Sequence, residues 1–106
     1  MSTGVKLGYI PVPDRETGLA LGKALVAAKQ VACANLLGPM TSIYEWEGAQ
    51  ECAEEFLLLL KTTADCAESA GETLAETHPY DCPCILWFDV EAGHPPFLDW
   101  VQQQTA

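Results

Sequence analysis

Two apolar runs constrain this chain more than any other feature: Phe56-Leu57-Leu58-Leu59-Leu60 and Ile85-Leu86-Trp87-Phe88. Successive side chains of a strand point to opposite faces, so a strand wetted on one side needs a polar residue at every second position. Neither run has one. Both faces of both strands must therefore be covered. The chain has 106 residues, of which 49% are apolar and 19% charged. That suits one folded domain over residues 1–106 and argues against disorder. A domain of this size buries roughly 60–70% of its unfolded surface, which leaves little spare material to cover a second sheet face.

The order of elements follows from periodicity and punctuation. Val5–Ile10 reads as a strand that Pro11 and Pro13 end, because proline donates nothing to a sheet ladder. Asp14 is placed to cap a helix over Arg15–Lys29, with Gly18, Leu21, Gly22, Leu25 and Ala28 on its apolar stripe. Val31–Leu37 is strand-like, and Gly38-Pro39 reads as a bulge or bend within one long strand. Thr41–Glu47 alternates, with Tyr44 and Trp46 on the face opposite Ile43. Gly48-Ala49 makes a turn, and Cys52–Thr62 returns as the partner strand. A second helix is expected over Ala64–Thr77, capped by Thr63 or Asp65, with Ala67, Ala70 and Leu74 inward. His78–Pro83 is a loop, Cys84–Val90 a strand, and Gly93-His94-Pro95-Pro96 opens a last helix through Phe97, Trp100 and Val101. The result is an α+β, ferredoxin-like β-α-β-β-α-β sandwich with an extra C-terminal helix. Its two main helices share one sheet face. Self-association is the economical way to cover the other.

Fifteen acidic residues against five basic ones give a net charge of −10. Such a field repels nucleic acid and anionic membrane and favours cations, although a solvated acidic surface is also the ordinary means of staying soluble. No segment approaches the ~18 apolar residues of a membrane span. Met1-Ser2-Thr3-Gly4 has neither the basic nor the apolar region of a signal peptide, so a cytoplasmic protein is expected. No nucleophile elbow, phosphate-cradling glycine loop or HExxH motif is present, and no enzyme activity is expected.

The five cysteines are Cys33, Cys52, Cys66, Cys82 and Cys84. They form no CxxC pair of the zinc-ribbon or redox kind. Cys82-Pro83-Cys84 places two thiols at i and i+2. In an extended segment their Cα atoms would lie roughly 6.5–7 Å apart, at the limit of disulfide reach. They are either ordinary free thiols or a pair that could hold a soft ion such as Cu(I), with His78 near in sequence. Lys61 follows four leucines, and a buried ammonium needs an acidic or hydroxyl partner.

Six fragments resemble the CutA divalent-cation-tolerance family, in family order and spacing. They are Val12-Pro13-Asp14, Ala32-Cys33-Ala34-Asn35, Ser42-Ile43-Tyr44-Glu45-Trp46-Glu47-Gly48, Leu58-Leu59-Leu60-Lys61-Thr62, His78-Pro79-Tyr80 with Pro83, and Phe97-Leu98-Asp99-Trp100. The resemblance implies a homotrimer with open sheet faces packed inward, and a link to tolerance of copper or another divalent metal ion. It also implies an inter-subunit cleft lined by Cys33, Tyr44, Trp46, Lys61, His78 and Tyr80. Cys33 and His78, joined by Cys82 and Cys84, are the candidate metal ligands. Tyr44, Trp46, Lys61 and Tyr80 are the candidates for binding an effector. The family's trimers resemble the PII signalling proteins in architecture, so a small anionic effector held by Lys61 is the alternative to a metal ion. The chain departs from the family pattern at Pro11, where relatives usually have Thr, and at Cys84, where Glu is common. Thr77 stands before His78, where some relatives have a second His.

Overall fold

A computed structural model describes residues 3–106. Met1 and Ser2, part of the N-terminus read above as leaderless, lie outside the described residues. The elements are β1 (Val5–Val12), α1 (Arg15–Ala27), β2 (Cys33–Trp46), β3 (Ala49–Thr63), α2 (Ala64–Thr77), β4 (Leu86–Asp89) and α3 (Pro95–Gln104). The strands form one antiparallel sheet in the order β2-β3-β1-β4, the arrangement expected of a ferredoxin-like chain.

Both main helices start where their caps require. Oδ1 of Asp14 accepts from the Thr17 N–H at 2.7 Å, and the Thr63 hydroxyl accepts from the Cys66 N–H at 3.3 Å. Each satisfies a backbone donor that the first turn leaves free. α1 is shorter than periodicity suggests. It stops at Ala27, Ala28 is exposed, and Lys29 turns the chain with φ 59° while Gln30 and Val31 bond back to the Leu25 carbonyl. On the helix side of the sheet, Ile10, Val12, Leu58 and Leu60 pack against Leu21, Leu25, Ala70 and Leu74. Full burial of a large apolar side chain contributes about 1.5–3 kcal/mol, so this layer is the main source of stability. A Cβ at Gly18 would sit 2.5 Å from Leu36 Cδ1, so glycine there lets α1 approach β2.

β1 does not end at Pro11 as expected. It continues to Val12, with Pro11 opposite Leu57. β4 pairs with β1 only over Lys6–Tyr9, so Pro11 borders an open edge where no second ladder needs its missing N–H. β4 is shorter than its apolar run for the same reason, since the chain joins the ladder only at Leu86. Gly38-Pro39 is a bulge in one long strand, as expected: the register shifts between Leu37 and Met40.

Beyond the bulge, Met40–Trp46 and Ala49–Glu55 pair only with each other and form a two-stranded arm. The arm turns at Glu47-Gly48, one residue earlier than expected. Both residues have positive φ, 51° and 81°, the type I′ geometry that matches strand twist.

The opposite sheet face carries cross-strand rows read directly from the register. One is Cys33–Lys61–Leu7–Phe88 and the next is Asn35–Leu59–Tyr9–Leu86. α3 covers only the Val5 end, where Val101 packs with Val5 and Ala32. Leu86 and Phe88 remain 48% and 51% exposed. Within one chain, the second face is therefore exposed at Leu86 and Phe88 and only half-covered at Leu57 and Leu59.

Candidate functional site

The loop between α2 and β4 is tied down at its first residue. His78 N–H closes α2 on the Leu74 carbonyl at 2.8 Å, and its side chain is only 6% exposed. Nε2 lies 2.8 Å from the Pro11 carbonyl, and Nδ1 accepts from the Tyr80 N–H at 3.1 Å. The Tyr80 ring packs against the imidazole with centroids 4.7 Å apart. Its hydroxyl then donates to Oε2 of Glu55, at the base of the arm, at 2.8 Å. A single chain of contacts thus joins β1, the loop and the arm.

A cleft of about 540 Å³ lies between the arm and the loop. Tyr44, Trp46 and Glu55 line it from the arm; Pro79, Tyr80, Asp81, Cys82 and Cys84 from the loop; Pro11 from β1. Two effects set its electrostatics. Burial, then the hydrogen bond to Glu55 and the charges of Glu55, Tyr44 and Asp14, push the Tyr80 phenol well above its ordinary value. Burial, then the Glu55 charge, raises the Cys84 thiol. Both shifts report a partly desolvated, negative site.

The residues expected to act together divide into two groups. Tyr44, Trp46, Tyr80, Cys82 and Cys84 meet in the cleft. Cys33 and Lys61 do not line it: they are cross-strand neighbours on the open sheet face. Cys33 Sγ lies 3.7 Å from Oδ1 of Asn35. Lys61 Nζ sits 5.8 Å from the centroid of Phe97, the aromatic partner that replaces the expected acid or hydroxyl. Lys61 escapes full burial because the face it points from is uncovered, leaving it half-buried. His78 borders the cleft through Tyr80, with both ring nitrogens already held by backbone groups.

Among the described residues no three His, Cys, Asp or Glu side chains gather at metal-binding distance. Cys33, His78, Cys82 and Cys84 therefore do not form one ligand set within a chain. Glu55 and Asp81 were not singled out from the sequence, and Pro11 stood out only as a strand end and a departure from the family pattern. Glu55 had a weak signal as the last polar residue before the Phe56 run, but nothing local connects it to Tyr80.

Comparison with known proteins agrees with this architecture. Residues 6–104 match the family described as CutA1 divalent ion tolerance protein. The divalent-cation tolerance protein CutA of Thermus thermophilus is 36% identical over 96 residues, covering 91% of this chain and 93% of that protein. Mouse protein CutA is 34% identical over 101 residues, 95% of this chain. The chain spans 57% of the mouse protein and 53% of the chloroplastic CutA of Arabidopsis thaliana, about half the length of either. The crystal structure of the divalent ion tolerance protein CutA1 from Ehrlichia chaffeensis superposes with TM-score 0.94 at 33% identity, covering 100% of this chain and 98% of that one. With a matched sequence from residue 6 to 104 and the same fold throughout, the chain belongs to the CutA1 divalent ion tolerance family.

Proposed function

We propose that this chain works as a homotrimeric divalent-cation-tolerance protein that binds metal ions, copper foremost, in the cleft beside the arm. One observation carries the assembly part of this reading. The sheet face bearing Tyr9, Leu59, Leu86 and Phe88 is apolar, with Leu86 and Phe88 exposed and Tyr9 and Leu59 half-buried in a single chain. Burying such a face against copies of itself is what a small α+β subunit can do.

Cys82 and Cys84 supply soft donors, and Glu55 and Asp81 hard ones. Since one chain does not gather three donors, a complete coordination shell draws on adjoining subunits. The family description as a tolerance protein supports a binding role rather than catalysis. A PII-like anionic effector held by Lys61 has less support, because the cleft is lined by carboxylates and Lys61 lies outside it. A cytoplasmic location belongs to the same proposal.

Light scattering tests assembly: the expected mass is three times the 11.5 kDa chain. Equilibrium dialysis against Cu(II) tests the ligand, with saturation at a fixed ratio per trimer expected. A monomer mass sinks the assembly reading; no saturable copper uptake sinks the metal reading.

A further inference from the structure

We propose that the cleft also binds an organic ammonium ion, seated on the faces of Trp46, Tyr44 and Tyr80 with Glu55 as its counter-charge. The inference rests on reading the cleft as a cation site and extends it from metal ions to organic cations.

Size is the first argument. At about 540 Å³ the cleft has the dimensions of a small-molecule site and far exceeds a bare ion. Chemistry is the second. Three aromatic side chains face the same space, and Trp46 is 59% exposed on the arm. A methylated or alkyl ammonium spreads its charge over apolar groups and sheds water readily, so the negative face of an indole or phenol attracts it. A hard divalent ion such as Mg2+ holds its water and wants several oxygens instead.

The sign of the charge is the third argument. The ionisable lining groups include the carboxylates of Glu55 and Asp81 and no Lys, Arg or His. Tyr80 holds Glu55 by Oε2, which fixes the carboxylate at the cleft wall. A net charge of −10 draws cations toward the protein generally.

Choline is the probe, titrated calorimetrically into the assembled protein at constant ionic strength. Its neutral isostere 3,3-dimethylbutan-1-ol is the control. Saturable binding of choline is expected in the millimolar range or tighter, with the alcohol at least about tenfold weaker because it lacks the charge. Trp46→Leu and Glu55→Gln should each weaken choline by about tenfold. Circular dichroism and light scattering establish that the variants remain folded and assembled. Absence of saturable choline binding overturns the inference, as does equal affinity for the alcohol or undiminished binding by folded Trp46→Leu protein. Copper uptake without choline binding overturns this inference and leaves the metal reading standing. Choline binding without copper uptake supports it and removes the metal reading.

Discussion

Nε2 of His78 lies 2.8 Å from the carbonyl oxygen of Pro11, which fastens the loop after α2 to the open end of β1. A carbonyl only accepts, so the proton sits on Nε2, and Nδ1 takes the Tyr80 N–H. Both nitrogens are thus used in holding the loop. Replacing His78 by Ala leaves the Pro11 carbonyl and the Tyr80 amide without those partners. A loss of about 2–3 kcal/mol is expected in denaturant unfolding. Copper stoichiometry should be unchanged in the folded variant; loss of one copper per subunit would make the imidazole a ligand.

Leu58 and Leu59 are adjacent but face different layers. Leu58 is buried beneath α1, whereas Leu59 stands on the open face beside Tyr9. Leu58→Asp should unfold the chain, since an unpaired charge in that core costs several kcal/mol. Leu59→Asp should keep its far-ultraviolet circular dichroism but elute as a smaller species. A Leu59→Asp protein of unchanged mass would show that this face takes no part in assembly.

The Tyr80 phenol, raised above its ordinary value by burial and by Glu55, makes stability depend on pH in one direction. The unfolded phenol ionises first, near its ordinary value of about 10. Its contribution is complete below that pH and is lost as pH rises toward the folded value. Denaturation midpoints should therefore fall more steeply above pH ~10 in the parent than in Tyr80→Phe. Parallel pH profiles would show that Tyr80 does not contribute to that slope.

Cys84 is held as a thiol by burial and by Glu55, so coordinating a soft ion must expel its proton. Affinity for Cu(I) should rise by about tenfold per pH unit for each thiol deprotonated, below the thiol's own pKa. Competition with a Cu(I) chelator at two pH values reads this slope. The Cys82→Ser, Cys84→Ser double variant should lose both the slope and the tight phase. Unchanged affinity would move the site away from this loop.

The arm's turn places Glu47 at φ 51°, a conformation that asparagine tolerates better. Glu47→Asn creates the Asn-Gly pair favoured by type I′ turns. Unfolding stability should rise by a few tenths of a kcal/mol, to about 1 kcal/mol at most. A fall in the denaturation midpoint would contradict the turn assignment.

What could be read from residue order was local or periodic. α2 runs over Ala64–Thr77 because Thr63 caps it and Ala67, Ala70 and Leu74 recur on one stripe. Gly38-Pro39 marked the bulge, since those two residues disturb a ladder wherever they fall. The runs Phe56–Leu60 and Ile85–Phe88 foretold an uncovered face, because a strand with no polar side must hide both. The family fragments joined these elements into one topology.

The cleft is a different matter, because it depends on neighbours that no local pattern encodes. Tyr80 meets Glu55 across 25 positions, and His78 meets Pro11 across 67. Pro11 stays within β1 only because β4 stops short of it, a fact about another strand's reach. Lys61 and Cys33 leave the cleft because strand register puts them on the open sheet face. Side-chain type and spacing determined which residues are candidates for a binding site. Register and the loop's anchoring, set by long-range packing and hydrogen bonds, decided which of them share one space.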